Sequence, residues 1–117
     1  MNEELMTMGL VSKSKKKGKT YRYIAYYKNS EGKWEFYSSA VLPNTTLDEA
    51  RKDAVKELKI SPRPMKTMVV VTDEVGKELG VVSTIPSGYA VWEANGTVYN
   101  LSSNTGKISP YTYHRRG

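Results

Sequence analysis

Apolar side chains follow two rhythms along this chain, and the change between them marks its elements. Residues 20–28, TYRYIAYYK, and residues 33–39, KWEFYSS, are rich in Tyr, Ile, Trp and Phe, which suit a pleated surface. Between them lies Asn29-Ser30-Glu31-Gly32, which starts with Asn and ends with Gly, as a four-residue hairpin loop built on a type I turn does. The pattern predicts a β-hairpin. The rhythm then becomes helical, with Leu47, Ala50, Ala54, Val55 and Leu58 recurring on one face. Thr46-Leu47-Asp48-Glu49 has the form of a capping box, with Thr46 as N-cap and Glu49 reaching back. Ser61-Pro62 and Pro64 stop the helix, because the residue before a proline avoids the α region. The spacing predicts one amphipathic helix over 47–60.

After residue 66 the strand rhythm returns. The MVVV run within Lys66–Thr72 has no polar gap and predicts a central or well-covered strand. Residues 73–80, DEVGKELG, read as a loop between two strands or as one helical turn, and their two glycines favour the loop. Val81–Ile85 is a further strand, and Ile85-Pro86-Ser87-Gly88 a turn. Asn95-Gly96 between YAVWEA and TVYNL is a type I′ hairpin signal. A two-residue turn sets Ala94 opposite Thr97, Trp92 opposite Tyr99 and Ala90 opposite Leu101, an apolar face expected in the core. Ser102–Gly106 is a polar turn, and Lys107–Ser109 a short last strand. The fold class expected is α+β: antiparallel sheet with one amphipathic helix, a ββα unit (19–61) followed by a β-rich half (66–110), in one domain over 19–110. Residues 1–18 are expected to be a flexible basic arm and 111–117 a loose tail. A length of 117 residues suits a single core.

Composition narrows the chemistry. There is no cysteine, which excludes disulfides, thiolate metal sites and thiol catalysis. No apolar run approaches the roughly 20 residues of a membrane span, and MNEELMTMGL does not read as a secretory signal. A cytoplasmic protein is expected, host cytoplasm if the source is viral. The one histidine, His114, has no partner for metal or relay work. Gly76 and Gly80 are isolated, with no phosphate-binding loop around them. Asp48, Glu49, Asp53 and Glu57 suit capping and solubility. The expectation is a protein that is not an enzyme and needs no metal or small-molecule cofactor.

Charge is distributed unevenly. Residues 1–11 carry two negative charges. Residues 12–37 carry eight positive and two negative charges, and residues 38–117 ten positive and eight negative. The net charge of +6 therefore equals that of one 26-residue stretch. Within it, SKSKKKGK supplies Lys13, Lys15, Lys16, Lys17 and Lys19 with no apolar side chain. Such a run suits a phosphate-tracking arm, and equally a solubilising tail. With a four-residue loop, Lys28 pairs with Lys33, Tyr27 with Trp34, Tyr26 with Glu35, Ala25 with Phe36 and Ile24 with Tyr37. Strand alternation then places Tyr21, Tyr23, Ala25, Tyr27, Trp34 and Phe36 under the helix. The other face carries Arg22, Ile24, Tyr26, Lys28, Lys33, Glu35 and Tyr37. A register shift of one residue would exchange the faces. Cations and tyrosines on a ribbon face suit phosphate and base contacts, though Lys, Tyr and Thr populate any solvated sheet.

The stretch GKTYRYIAYYKNSEGKWEFYSSAVLPNTTLDEARKDAVKEL resembles the arm-type, AP2-like N-terminal DNA-binding domain of phage and transposon integrases. The shared order is basic segment, aromatic-basic strand, EG-type turn, second strand, then a Thr-capped helix continuing with Glu-Ala. The resemblance covers about residues 16–60. It implies a sheet laid in the DNA major groove, with contacts at Arg22, Tyr26, Lys28, Lys33 and Tyr37, joined by the lysines of the arm. The expected partner is nucleic acid, duplex DNA first, and the expected source a phage or mobile element. The alternative is a phage-encoded inhibitor, anti-CRISPR-like or otherwise anti-defence, that binds a host nucleic-acid-binding protein.

Overall fold

The computed structural model describes residues 18–63 and 66–111, and the helix within them begins and ends at its sequence signals. Helix α1 runs Leu47–Ile60. Thr46 is its N-cap, with Oγ1 accepting from the Glu49 backbone N–H at 3.2 Å. Ser61 closes the other end, donating its N–H to the Leu58 carbonyl, just before Pro62. The strands are β1 Lys19–Lys28, β2 Trp34–Thr45, β3 Thr67–Asp73, β4 Glu78–Thr84, β5 Ala90–Ala94, β6 Thr97–Leu101 and β7 Ile108–Pro110. They form one antiparallel sheet in the order β2-β1-β3-β4-β5-β6-β7, with α1 on one face. The fold is α+β, a ββα unit followed by a β-rich half, as the pattern predicts. The 73–80 segment resolves in favour of a turn leading into β4, and no α-helix follows α1 among the described residues.

The core lies between α1 and the sheet. Ala50, Ala54, Val55 and Leu58 of the helix meet Ala25, Val69, Val71, Val82 and Trp92, all buried. Each fully buried Val or Leu contributes about 1.5–3 kcal/mol. Ala25, Ala50 and Ala54 add little bulk, so the helix can lie close to β1 and β3. Trp92 pairs with Tyr99 and Ala94 with Thr97 across the Asn95-Gly96 turn, in the expected register, and Trp92 is only 3% exposed. One buried helix residue breaks the apolar pattern. Arg51, 5% exposed, donates from Nε to the Gly106 carbonyl at 2.8 Å, pairs with Asp48, and stacks 5.0 Å over the Trp92 ring. Burial holds its pKa below the usual guanidinium value, against the raising effect of Asp48. Arg51 thus ties the 102–106 turn to the first turn of α1 and to β5.

The first hairpin differs from expectation by one residue. Lys28 pairs with Trp34, Tyr27 with Glu35 and Tyr26 with Phe36. The loop proper is Ser30-Glu31-Gly32, closed by Asn29 N–H to Lys33 O at 2.8 Å and Gly32 N–H to Asn29 O at 2.9 Å. Gly32 has φ +80, the left-handed residue of a type I turn with a G1 bulge. The Asn29 side chain also accepts from the N–H groups of Glu31 and Lys33, which draws Asn29 and Lys33 into the turn. A second irregularity follows at Tyr37. The pairing moves from Tyr26–Phe36 to Ala25–Ser38, so Tyr37 and Ser38 together oppose Ala25. Beyond it Tyr23 pairs with Ala40, Arg22 with Val41 and Tyr21 with Leu42.

Candidate functional site

The shifted register redistributes the hairpin's side chains. On β1 the expected division holds. Ala25 is buried beneath the helix, Tyr21 and Tyr23 pack on the core, and Tyr23 Oη donates to Glu57 Oε1 at 3.2 Å. Burial first, and the Glu57 carboxylate second, push the Tyr23 phenol up to about 12. On β2 the division is reversed near the turn. Trp34 and Phe36 were expected under the helix, yet they are the cross-strand partners of Lys28 and Tyr26 and share the opposite, open face. Trp34 is 44% and Phe36 61% exposed, and Lys28 Nζ lies 5.0 Å over the Trp34 ring. Glu35 and Tyr37, expected on the basic face, are on the helix side. Tyr37 packs on the core, because the bulge turns it the same way as Ser38. Lys33 belongs to the turn and does not pair with Lys28.

The open face of the first three strands can be read row by row. Lys28 stands beside Trp34. Phe36, Tyr26 and Met68 form the next row across β2, β1 and β3. Ser39, Ile24 and Val70 follow, then Val41, Arg22 and Thr72. No carboxylate of β1, β2 or β3 is on this side. Glu35, the acidic residue of β2, is held on the other side. It accepts from Tyr27 Oη at 2.9 Å and Asn29 Nδ2 at 2.6 Å. Those bonds, Asn29 first and Tyr27 second, lower the Glu35 pKa, and the same contact raises that of Tyr27. The carboxylates on the open face come later in the sheet, at Glu78 beside Thr72 and Glu93 beside Val81. The open face is therefore cationic and aromatic towards β2 and mixed towards β6.

Of the expected contact residues, Arg22, Tyr26 and Lys28 come together. Lys19 is exposed at the start of β1, paired with Thr45. Lys33 and Tyr37 fall outside the group, and Lys13, Lys15, Lys16 and Lys17 lie outside the described residues, as does His114. Trp34 and Phe36 are the members that sequence reasoning assigned to the wrong side. On the helix side of the hairpin a cleft of about 380 Å³ is lined by Tyr27, Asn29, Tyr37, Ser61 and Arg63 among others. Its hydroxyl and amide groups are largely engaged: Ser61 Oγ is 2.7 Å from Thr67 Oγ1, and Tyr27 and Asn29 hold Glu35. Among the described residues no group of three or more His, Cys, Asp or Glu gathers as a metal set, and no helix is long and apolar enough to cross a membrane. Comparison with protein-family models, curated proteins and solved structures gives no match.

Proposed function

We propose that this chain is a small, non-catalytic nucleic-acid-binding protein that contacts its ligand through the open face of β1 and β2, extended by the lysines that precede β1. The observation that carries this reading is the segregation of charge on the hairpin. Arg22 and Lys28 share the open face with Tyr26, while Glu35 is tied down on the opposite side. A polyanion laid on this face meets two cations and no carboxylate from the first three strands. In the sequence, Lys13, Lys15, Lys16, Lys17 and Lys19 add five further positive charges just before Arg22.

The test is titration with labelled DNA and RNA at several salt concentrations, using the full chain and the Arg22→Ala/Lys28→Ala variant. Every phosphate that a side chain no longer neutralises lowers the salt slope by about one unit, so the variant's slope should fall by about two. Exposed cations add little stability, so its unfolding midpoint should stay close to that of the parent. Absence of binding to any nucleic acid at low salt would remove the proposal.

A second reading, an inhibitor that binds a host protein, is favoured by one observation: β2 is an edge strand of the sheet, and it exposes Phe36 and Val41. Capture of the same host protein from lysate with and without nuclease treatment would support that reading over the first.

A further inference from the structure

We infer, building on the nucleic-acid reading above, that the ligand is single-stranded, and that Tyr26, Trp34 and Phe36 form a platform on which its bases stack. Three observations carry this. The first is exposure. A Phe at 61% and a Trp at 44% exposed are costly on a solvent-facing strand, and here they are neighbours on one face, with Tyr26 directly opposite Phe36. The second is chemistry. Phe carries no hydrogen-bonding group and Trp a single donor, so the pair offers little towards the acceptor and donor pattern of base edges in a duplex groove. The face of a base, by contrast, stacks on any aromatic ring.

The third observation is width. The major groove is about 12 Å wide and admits a two-stranded ribbon. Here β1 and β2 do not stand free, because β1 pairs along Tyr21–Tyr27 with β3, and β4 to β7 continue the same sheet. At about 4.8 Å per strand spacing, seven strands extend roughly 29 Å. A duplex pressed onto the hairpin face would bring its phosphate walls against β3 and β4, whereas a single strand has no walls. Trp34 and Phe36 are two residues apart on β2, about 6.8 Å along the strand. A nucleic-acid strand drawn out to about twice its 3.4 Å stacked rise presents one base to each ring. Arg22 and Lys28 flank Ile24 and Tyr26 on the open face of β1, where Arg22 can meet a phosphate directly and Lys28 does so by swinging off the Trp34 ring as a base takes its place.

The experiment is fluorescence-anisotropy titration of the full chain with short oligo-dT, oligo-rU of equal length and a mixed-sequence duplex, at two salt concentrations. Parent, Phe36→Ala, Phe36→Tyr and Phe36→Leu are compared. The single strands should bind at least about tenfold more tightly than the duplex, the scale of one base–aromatic stack. Phe36→Ala and Phe36→Leu should each weaken single-strand binding about tenfold with the salt slope unchanged, and Phe36→Tyr should retain binding. Circular dichroism should be identical for all four, since the side chain projects into solvent. Equal or tighter binding of the duplex would overturn the inference while leaving the nucleic-acid reading in place, and so would parent-like binding by Phe36→Leu. No binding of any oligonucleotide at low salt would remove both. Occupation of the platform by self-association, seen as a concentration-dependent increase in sedimentation coefficient that Phe36→Ala abolishes, would likewise overturn it in favour of a second copy of the chain.

Discussion

Replacing Gly106 by Ala should destabilise this protein far more than replacing Gly32 by Ala, although both glycines have nearly the same backbone conformation. Gly106 has φ +76 and Gly32 φ +80. A non-glycine residue in this region costs about 1–2 kcal/mol, and that cost is common to both. The surroundings are not. A Cβ on Gly32 meets nothing within 4 Å, whereas a Cβ on Gly106 would lie 1.8 Å from the Asp48 carbonyl oxygen, a backbone atom of the first turn of α1. The helix is held by its buried face, so the 102–106 turn must withdraw. Withdrawal breaks the bond from Arg51 Nε to the Gly106 carbonyl. A hydrogen bond to a charged donor contributes about 1.5–3 kcal/mol, and the guanidinium left behind is buried over Trp92. The expected destabilisation is about 3–5 kcal/mol for Gly106→Ala and about 1–2 kcal/mol for Gly32→Ala. Far-UV circular dichroism during urea and thermal unfolding reads the difference, and for a domain of this size the Gly106 variant should melt roughly 10–30 °C lower. Equal midpoints for the two variants would refute the argument that Arg51 pins this turn to the helix.

Three further outcomes follow from the same geometry. Trp92→Ala should cost about 3–5 kcal/mol in urea unfolding, as buried large aromatics do, and Trp34→Ala clearly less, because Trp34 is part-exposed on the open face. A Trp34→Ala cost matching that of Trp92→Ala would return Trp34 to the core. Tyr23 titrates at about 12 in the folded chain against an ordinary value of 10.0. The folded state holds that proton more tightly, so the contribution is complete below pH 10 and is lost as the pH rises from about 10 to about 12. Tyr23→Phe should lose less stability over that interval than the parent, as measured by urea midpoints at successive pH values. Removing residues 1–17 deletes four of the eighteen basic residues, Lys13, Lys15, Lys16 and Lys17, and should lower the salt slope for nucleic acid while changing the melting temperature by only a few degrees, about the size of a surface effect.

Where two signals agreed on one boundary, the fold was legible from the chain. Thr46 begins α1 and Pro62 follows its end, with five apolar positions marking one face between them, and the helix spans Leu47–Ile60 as predicted. Asn95-Gly96 allows only a tight turn, so the register of β5 with β6 followed, and with it the burial of Trp92. The first hairpin had no such constraint. Asn29-Ser30-Glu31-Gly32 suits a four-residue loop and a three-residue loop with a bulge equally, and the choice rests on the Asn29 side chain bonding to the N–H groups of Glu31 and Lys33. The bulge at Tyr37 has no sequence mark at all. The cations of β1 were therefore legible as a group, and the aromatic residues of β2 beside them were not. Arg51 was hidden for a related reason: a charged residue at a helical position reads as solvated unless the carbonyl and ring that receive it are known.

The Tyr37 bulge also bears on how β2 can change during descent. Between the turn and Tyr37, or between Ser38 and Leu42, loss of a single codon would turn over one half of the strand, carrying either Trp34 and Phe36 or Ala40 and Leu42 to the wrong side of the sheet. At Tyr37 the chain already holds one residue more than β1 requires, so a deletion there restores plain alternation and leaves both halves facing as they do now. Between Leu42 and Thr45 β2 again holds one residue more than β1, so homologous chains should place their single-residue gaps within β2 at one of these two positions, and lineages that lack the Tyr37 bulge should still display an aromatic pair beside the turn.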